Sequence, residues 1–233
     1  VSGSVLGGYA AAGVDMRYLI AASFMAAPAG LMMAKLIKPD SSDVSSDDSA
    51  VHEDILAHRA ANVIDAAAAG ALQGLQLALA IGALLLAFIG LIALINGMIG
   101  WGGSFFGFEN LTMQQILGYL FQPVAFLIGV PWEETRQVGS LLGQKFILNE
   151  FIAYLDFVAS YQSELAPRTQ AIVTFALCGF ACLSSIAIVV GGIGILVPER
   201  RAEMSRLGFL AVVGATLANL MSATIAGLML TLS

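Results

Sequence analysis

The chain has 233 residues, of which 58% are apolar and only 11% charged, with a mean hydropathy of +0.87. A soluble domain carries about 25% charged residues, and a chain this poor in charge cannot cover its surface with water-compatible groups, which excludes a soluble enzyme, a nucleic-acid-binding domain and a disordered chain. The net charge of −6 is local, because six of the sixteen acidic residues lie between Asp40 and Asp54.

Uncharged runs are measured against the roughly 20 residues that cross a hydrocarbon core. Val1–Gly13 reads as part of a helix with no charged region before it, hence a partial span and not a signal peptide. The chain is therefore expected to be the C-terminal portion of a longer protein. Tyr18–Ala34 is uncharged, ends at Lys35 and Lys38, and contains Pro28, which predicts a kink. Residues 39–57 form an acidic linker of the kind that stays solvated, and His52 and His58 are read as solvated with it. Ala66–Phe108 is uncharged, with its most apolar part at Leu75–Ile95. Leu111–Trp132 is apolar but interrupted by Gln114, Gln115, Gln122, Pro123 and Pro131. Glu133 and Glu134 are adjacent and would point apart on a helix, so they mark a helix start near the surface. Val138–Phe157 is apolar but holds Lys145, Asn149, Glu150 and Asp156; Thr169–Pro198 and Leu207–Ser233 are uncharged. The reading is four full spans preceded by a partial one.

Orientation follows the basic residues near span ends. Lys35 and Lys38 after the second span, and Arg200, Arg201 and Arg206 between the last two, place both loops in the cytoplasm and the C-terminus outside. Region 102–168 must then begin and end outside, with an even number of crossings or a re-entrant hairpin.

An ionisable residue at membrane depth is a functional-site hypothesis. Glu150 is the strongest case, between large apolar residues and beside Asn149. It could accept from a ligand's hydroxyls or amine, or hold a cation. It could equally lie in water on a surface helix, or pair with Lys145. Gly179, Ala181, Ser184 and Ser185 in the 169–198 span are small, and close helix packing is preferred over a broken helix exposing backbone near Gly179. Gly191–Gly194 and Ala215–Gly227 are also read as packing faces. Cys178 and Cys182, four apart on one helix, are poorly placed to bridge. No metal cluster, phosphate loop or Ser-His-Asp set is readable.

Several segments, in order, resemble the concentrative nucleoside transporters: Gly3-Ser-Val-Leu-Gly-Gly-Tyr-Ala, Gly13-Val-Asp, Leu19-Ile-Ala-Ala-Ser-Phe-Met-Ala-Ala-Pro, Asn62-Val-Ile-Asp-Ala-Ala, Gly139-Ser-Leu-Leu-Gly-Gln-Lys, Asn149-Glu-Phe-Ile-Ala-Tyr, Ala176-Leu-Cys-Gly-Phe-Ala and Pro198-Glu-Arg-Arg. The resemblance implies an all-α integral membrane protein, a multi-span transporter with a re-entrant hairpin and interfacial helices, assembled as a homotrimer in the lipid bilayer. It implies transport-domain helices over 1–38 (partial first span, second span 17–38), an acidic cytoplasmic linker at 39–57 and an interfacial helix at 58–74. A scaffold span and a second interfacial helix then fill 75–131, with the span at 75–100 and the helix at 110–128. The second hairpin, about 132–160, and the last two spans complete the transport domain over 132–233.

The resemblance also implies a site. Glu150 of the Asn149-Glu150-Phe151 motif binds ribose at the hairpin tip. Phe180 and Ser185 match a Gly-Phe-Ala-Asn-x-x-Ser pattern whose Asn position holds Cys182 here. A thiol is a poor replacement for a carboxamide that both donates and accepts. Val5 lines the nucleobase, and the backbone of Val1 sits at the edge of a cation site. The implied function is symport of a nucleoside with a coupling cation, Na+ or H+, with no cofactor, no enzymatic activity and no nucleic-acid partner. The first hairpin and most of the cation site lie upstream. A transport-inactive membrane relative with a structural or regulatory role is the alternative. An intramembrane hydrolase is set aside, for want of a paired nucleophile and base.

Overall fold

A computed structural model describes residues 3–39, 62–105, 107, 111–186, 190 and 201–232. The Val1 and Arg200 assignments, the linker at 40–57 and the Gly191–Gly194 face lie outside those residues. The architecture is all-α, with no strand among the described residues. Contacts divide the chain into one unit made of Val1–Pro39 with Asn96–Ser233 and a second made of Asp40–Ile95.

In the first unit, α1 (Gly3–Ala11) ends on Gly13, whose φ of +108° is a left-handed turn that favours glycine. Asp15 then caps α2 (Met16–Ile37), its carboxylate accepting from the Arg17 backbone N–H at 2.9 Å. The hydrogen-bonding Arg17 guanidinium beside Asp15 holds that carboxyl below the usual carboxylate range. α2 continues through Pro28 as one helix. It and the last helix are both long and apolar enough to cross a membrane.

The second unit contributes the start of α3 (Val63–Ser104), where the Asn62 side chain accepts from the Asp65 N–H. At 1.5 Å per residue, 42 residues make a helix of about 63 Å. The helix is continuous through 74 and 75, where an interfacial helix at 58–74 is expected to give way to a scaffold span. It runs on because no proline interrupts Ala66–Ser104, and isolated glycines such as Gly70, Gly74 and Gly82 do not by themselves end a helix.

α4 (Met113–Leu127) starts in a capping box made by Thr112 and Gln115. A short 3₁₀ turn (Trp132–Glu134) leads into α5 (Thr135–Ile147), and α6 (Glu150–Asp156) returns, widening into a π turn at Phe157–Tyr161. Helices α4 and α5 cross backbone to backbone. A Cβ on Gly139 would stand 2.6 Å from the Gly118 carbonyl oxygen, and one on Gly143 would stand 2.7 Å from Leu117 Cβ. Glycine at these positions of the Gly139–Lys145 motif is thus a packing requirement.

α7 (Pro167–Leu177) corrects the expectation of a single span over 169–198. The helix stops at Cys178, Gly179 has φ +153°, and 183–186 are helical again. The packing reading of this run is therefore overturned in favour of a broken helix. α8 (Arg201–Leu232) presents a small-residue stripe, buried at Gly208, Gly214, Ala218, Ser222, Ala226 and Gly227, to α2 and α7. The Ala215–Gly227 face is a packing face, as read. Lys38 pairs with Glu203 at 3.5 Å, so the end of α2 and the start of α8 share one end of the unit.

Candidate functional site

Two chain breaks meet in this unit, the α5–α6 turn at Leu148–Asn149 and the break after α7, and α1 reaches them through Tyr9. The backbone at the α5–α6 turn is extended at Asn149 (φ −164°, ψ 168°), and the Asn149 carboxamide oxygen accepts from the Ile152 N–H at 2.9 Å. Asn149 is thus the N-cap of α6, a role that orients the next residue.

That residue, Glu150, is only 5% exposed, which excludes the surface-helix alternative. Its Oε1 accepts from Tyr9 Oη of α1 at 3.1 Å, and its Oε2 lies 3.9 Å from Cys182 Sγ. Cys182 Sγ in turn lies 2.9 Å from Ser185 Oγ and 3.2 Å from Ser184 Oγ, and Ser184 Oγ donates to the Leu148 carbonyl at 3.2 Å. The structure therefore gathers Glu150, Cys182 and Ser185 into one polar cluster, although 32 residues separate the carboxylate from the thiol. Val5 is partly buried one helical turn from Tyr9, on the same face of α1. Phe180 is half exposed. A cavity of about 400 Å³ between α4 and α5 is lined by Gln114, Arg136, Gln137 and Ser140 among others, and by none of the sequence-predicted site residues.

The pairing of Glu150 with Lys145 is also corrected. Among the described residues Lys145 makes no ion pair with Glu150; its ammonium donates to the Ala176 carbonyl at 2.6 Å. This belongs to a wider arrangement. A helix that ends inside a membrane protein leaves carbonyls that water cannot reach. At the end of α7 the Cys178 N–H closes on Thr174 O and Phe175 O, and three other helices also donate to carbonyls there. Tyr154 Oη donates to Thr174 O at 2.7 Å and Lys145 Nζ to Ala176 O. Asn219 of α8, with its carboxamide oriented so that both ends are paired, donates to Cys178 O at 3.3 Å and accepts from Lys145 Nζ at 2.6 Å. Gly179 completes the joint, because a Cβ there would stand 2.7 Å from the Asn219 carboxamide.

Sequence reasoning missed Tyr9, Asn219 and the role of Lys145. Asn219 carried a signal, as the only amide side chain in the uncharged run 207–233. Tyr9 carried none, since an aromatic in an apolar helix reads as core. It is core as well: its ring stacks on Tyr154 at 4.6 Å.

Apolar helices with exposed faces, interrupted by backbone breaks around a buried carboxylate, have the architecture of a helical membrane transporter. The comparisons with known proteins agree. Residues 18–227 match the family model described as the Na+ dependent nucleoside transporter C-terminus. The chain is 54% identical over 228 residues to an uncharacterized transporter of Bacillus subtilis, covering 98% of this chain and 56% of that protein. It is 48% identical over 237 residues to the nucleoside permease NupC of Helicobacter pylori, covering 100% of this chain and 56% of that one. The rat sodium/nucleoside cotransporter 1 is 37% identical over 243 residues, covering 98% and 37%. Among solved structures, CNTnw in an inward-facing substrate-bound state superposes with a TM-score of 0.92 at 53% identity, covering 100% of this chain and 55% of that one. The chain belongs to the Na+-dependent nucleoside transporter family, and it spans about half the length of the bacterial relatives it matches.

Proposed function

We propose that the full protein carries nucleosides across the cytoplasmic membrane in symport with a cation, sodium or proton, and that this chain supplies one wall of the nucleoside site. Glu150 carries the reading: a buried carboxylate at a helical turn, facing Cys182 and Ser185 of a broken helix, in a chain of this family. Tyr9 holds Oε1, which leaves Oε2 to accept from ribose hydroxyls, and a charged acceptor makes those bonds stronger than neutral ones. Ser185 adds a hydroxyl, Phe180 and Val5 offer apolar contact to the base, and Asn149 acts by capping α6. The similarity to the rat sodium/nucleoside cotransporter 1 supports sodium as the ion. No cofactor and no nucleic acid enters the reading.

In this proposal the protein is a homotrimer in the inner membrane. Helices of 1–38 and 132–233 form the moving part, the latter with a re-entrant hairpin at 132–160, and 75–131 belongs to the scaffold. The loop before α8 is cytoplasmic and the C-terminus outside. The Lys38–Glu203 pair supports a common side for the two basic loops. A cysteine at Ser205, in a background without the native cysteines, should resist an impermeant thiol reagent on intact cells; labelling from outside reverses the orientation.

The decisive experiment is uptake of uridine and adenosine by cells expressing the full-length protein, with and without a sodium gradient, wild type against Glu150→Gln. Transport by the wild type that the variant loses supports the reading. Cys182, where the family pattern carries Asn, favours the second reading, a transport-inactive relative; a wild type that moves neither nucleoside under either gradient would establish it.

A further inference from the structure

Broken-helix transporters hold coupling cations where unwound carbonyls and half-helix C-terminal ends converge, because such an end carries about half a negative charge. The break after α7 has that chemistry. Ala176 O and the Asn219 carboxamide oxygen converge on one point, and what stands there is Lys145 Nζ, 2.6 Å from each. Lys145 is itself buried. An ammonium has three donors and no acceptor, so both contacts must be to acceptors, and both are neutral oxygens, as in a monovalent-cation site. The ammonium makes no direct ion pair with Glu150 among the described residues, and the contacts it makes are with these two neutral oxygens.

We propose that Lys145 is a tethered cation. Its ammonium fills the ion position at the α7 break, so that this half of the protein fixes its unwound segment without a free ion. Through Ala176 O directly, and through Asn219 to Cys178 O, it holds segment 178–182 where Cys182 and Ser185 meet Glu150. Lys145 and Asn219 are thus positioning residues, which touch the backbone behind the site and not the ligand. This rests on the nucleoside reading given above.

The proposal distinguishes a tethered cation from a plain structural lysine, because a vacated ion position takes a free ion. In the full-length protein, Lys145→Ala should weaken uridine binding by about 10- to 150-fold, the worth of a charged hydrogen bond of about 1.5–3 kcal/mol. Methylammonium, or raised sodium or potassium, should restore several-fold of that loss and leave the wild type unmoved. Asn219→Leu keeps the ammonium on Ala176 O and removes one oxygen. It should weaken binding less and show no response to amines. A folded Lys145→Ala protein with wild-type affinity, or with weakened affinity that no cation restores, overturns the proposal. If Lys145→Ala does not accumulate in the membrane, Asn219→Leu decides: unchanged uridine affinity overturns it, and a loss without amine response upholds it. Glu150→Gln in the same assay separates the two levels. If that variant binds uridine normally, the nucleoside reading has failed; if it loses binding while Lys145→Ala keeps it, only the tethered cation has.

Discussion

The long helix Val63–Ser104 and the segment Thr135–Ser185 follow opposite rules. The first exposes large apolar side chains, such as Leu86 at 76%, over much of its described length. In water such a surface would be a liability; in lipid, whose tails are as apolar as leucine, it costs nothing. The second segment stops and restarts its helices three times and buries Gln144, Lys145, Glu150 and Ser185. Each stop releases backbone groups that lipid cannot satisfy, and each is met by a named side chain: Asn149 at the start of α6, Gln170 at the Gln162 and Leu165 carbonyls before α7, and Tyr154, Lys145 and Asn219 at the end of α7. Apolar residues on the exposed face of the long helix are thus interchangeable, whereas the buried polar ones are specific to an atom.

The contrast can be broken most severely at the α4–α5 crossing. Gly139→Leu would push a side chain into the Gly118 and Gln122 backbone, which cannot move aside. Overpacking of this kind costs about 1–3 kcal/mol or more, and the expected result is loss of the folded protein, read as a vanished monodisperse peak in detergent size-exclusion chromatography. An equally large residue at Gly90, where the space around a Cβ is open, should leave the peak in place.

Next in size is Glu150→Gln. Removing the charge should weaken nucleoside binding about 10- to 150-fold, from about 1.5–3 kcal/mol of charge-assisted hydrogen bonding. Expression should be unchanged, because a neutral amide oxygen still accepts from Tyr9. Near-normal uptake by this variant would remove Glu150 from the site.

Cys182→Asn sharpens the comparison in the opposite direction. A thiol leaves a sugar hydroxyl without an amide partner, at about 1–3 kcal/mol. The carboxamide should therefore tighten ribonucleosides about five- to 150-fold and the corresponding deoxynucleoside less. Dissociation constants for a ribo- and deoxynucleoside pair measure this, and an unchanged ratio between them means that position 182 does not read the sugar. The smallest effect belongs to the other region: Leu86→Ala on the exposed face of α3 should alter uridine affinity by less than about two-fold, because deleting a lipid-facing side chain opens no cavity in a packed core.

The membrane character of the chain, the approximate extent of α2 and the suspicion about Glu150 were legible from residues alone, whereas the hairpin at about 132–160 was suggested only by the family resemblance, and α8 begins at Arg201, six residues before the uncharged run. Composition and uncharged length are one-dimensional properties, and solvation in lipid acts on them residue by residue. The break after Leu177 was not legible. A run of small and apolar residues is compatible with an unbroken packed helix, and Gly179 reads as a packing glycine until its φ of +153° and the Asn219 carboxamide against its Cα are seen. The continuity of the helix through 74 and 75 is likewise a property of the structure, since a change in hydropathy along a helix need not break its backbone hydrogen bonds. Which polar residue serves which atom lay wholly in the tertiary structure. Lys145 is five positions from Glu150 in sequence, close enough to suggest an ion pair, yet it donates to a carbonyl 31 residues away. Tyr9 reaches Glu150 across 141 residues. Sequence alone determined that this chain is a set of apolar helices with a few polar residues that lipid will not tolerate. Only the tertiary structure decided which buried acceptor each of them satisfies, because in a medium without water every such group takes its partner from whatever element the fold brings within about 3 Å.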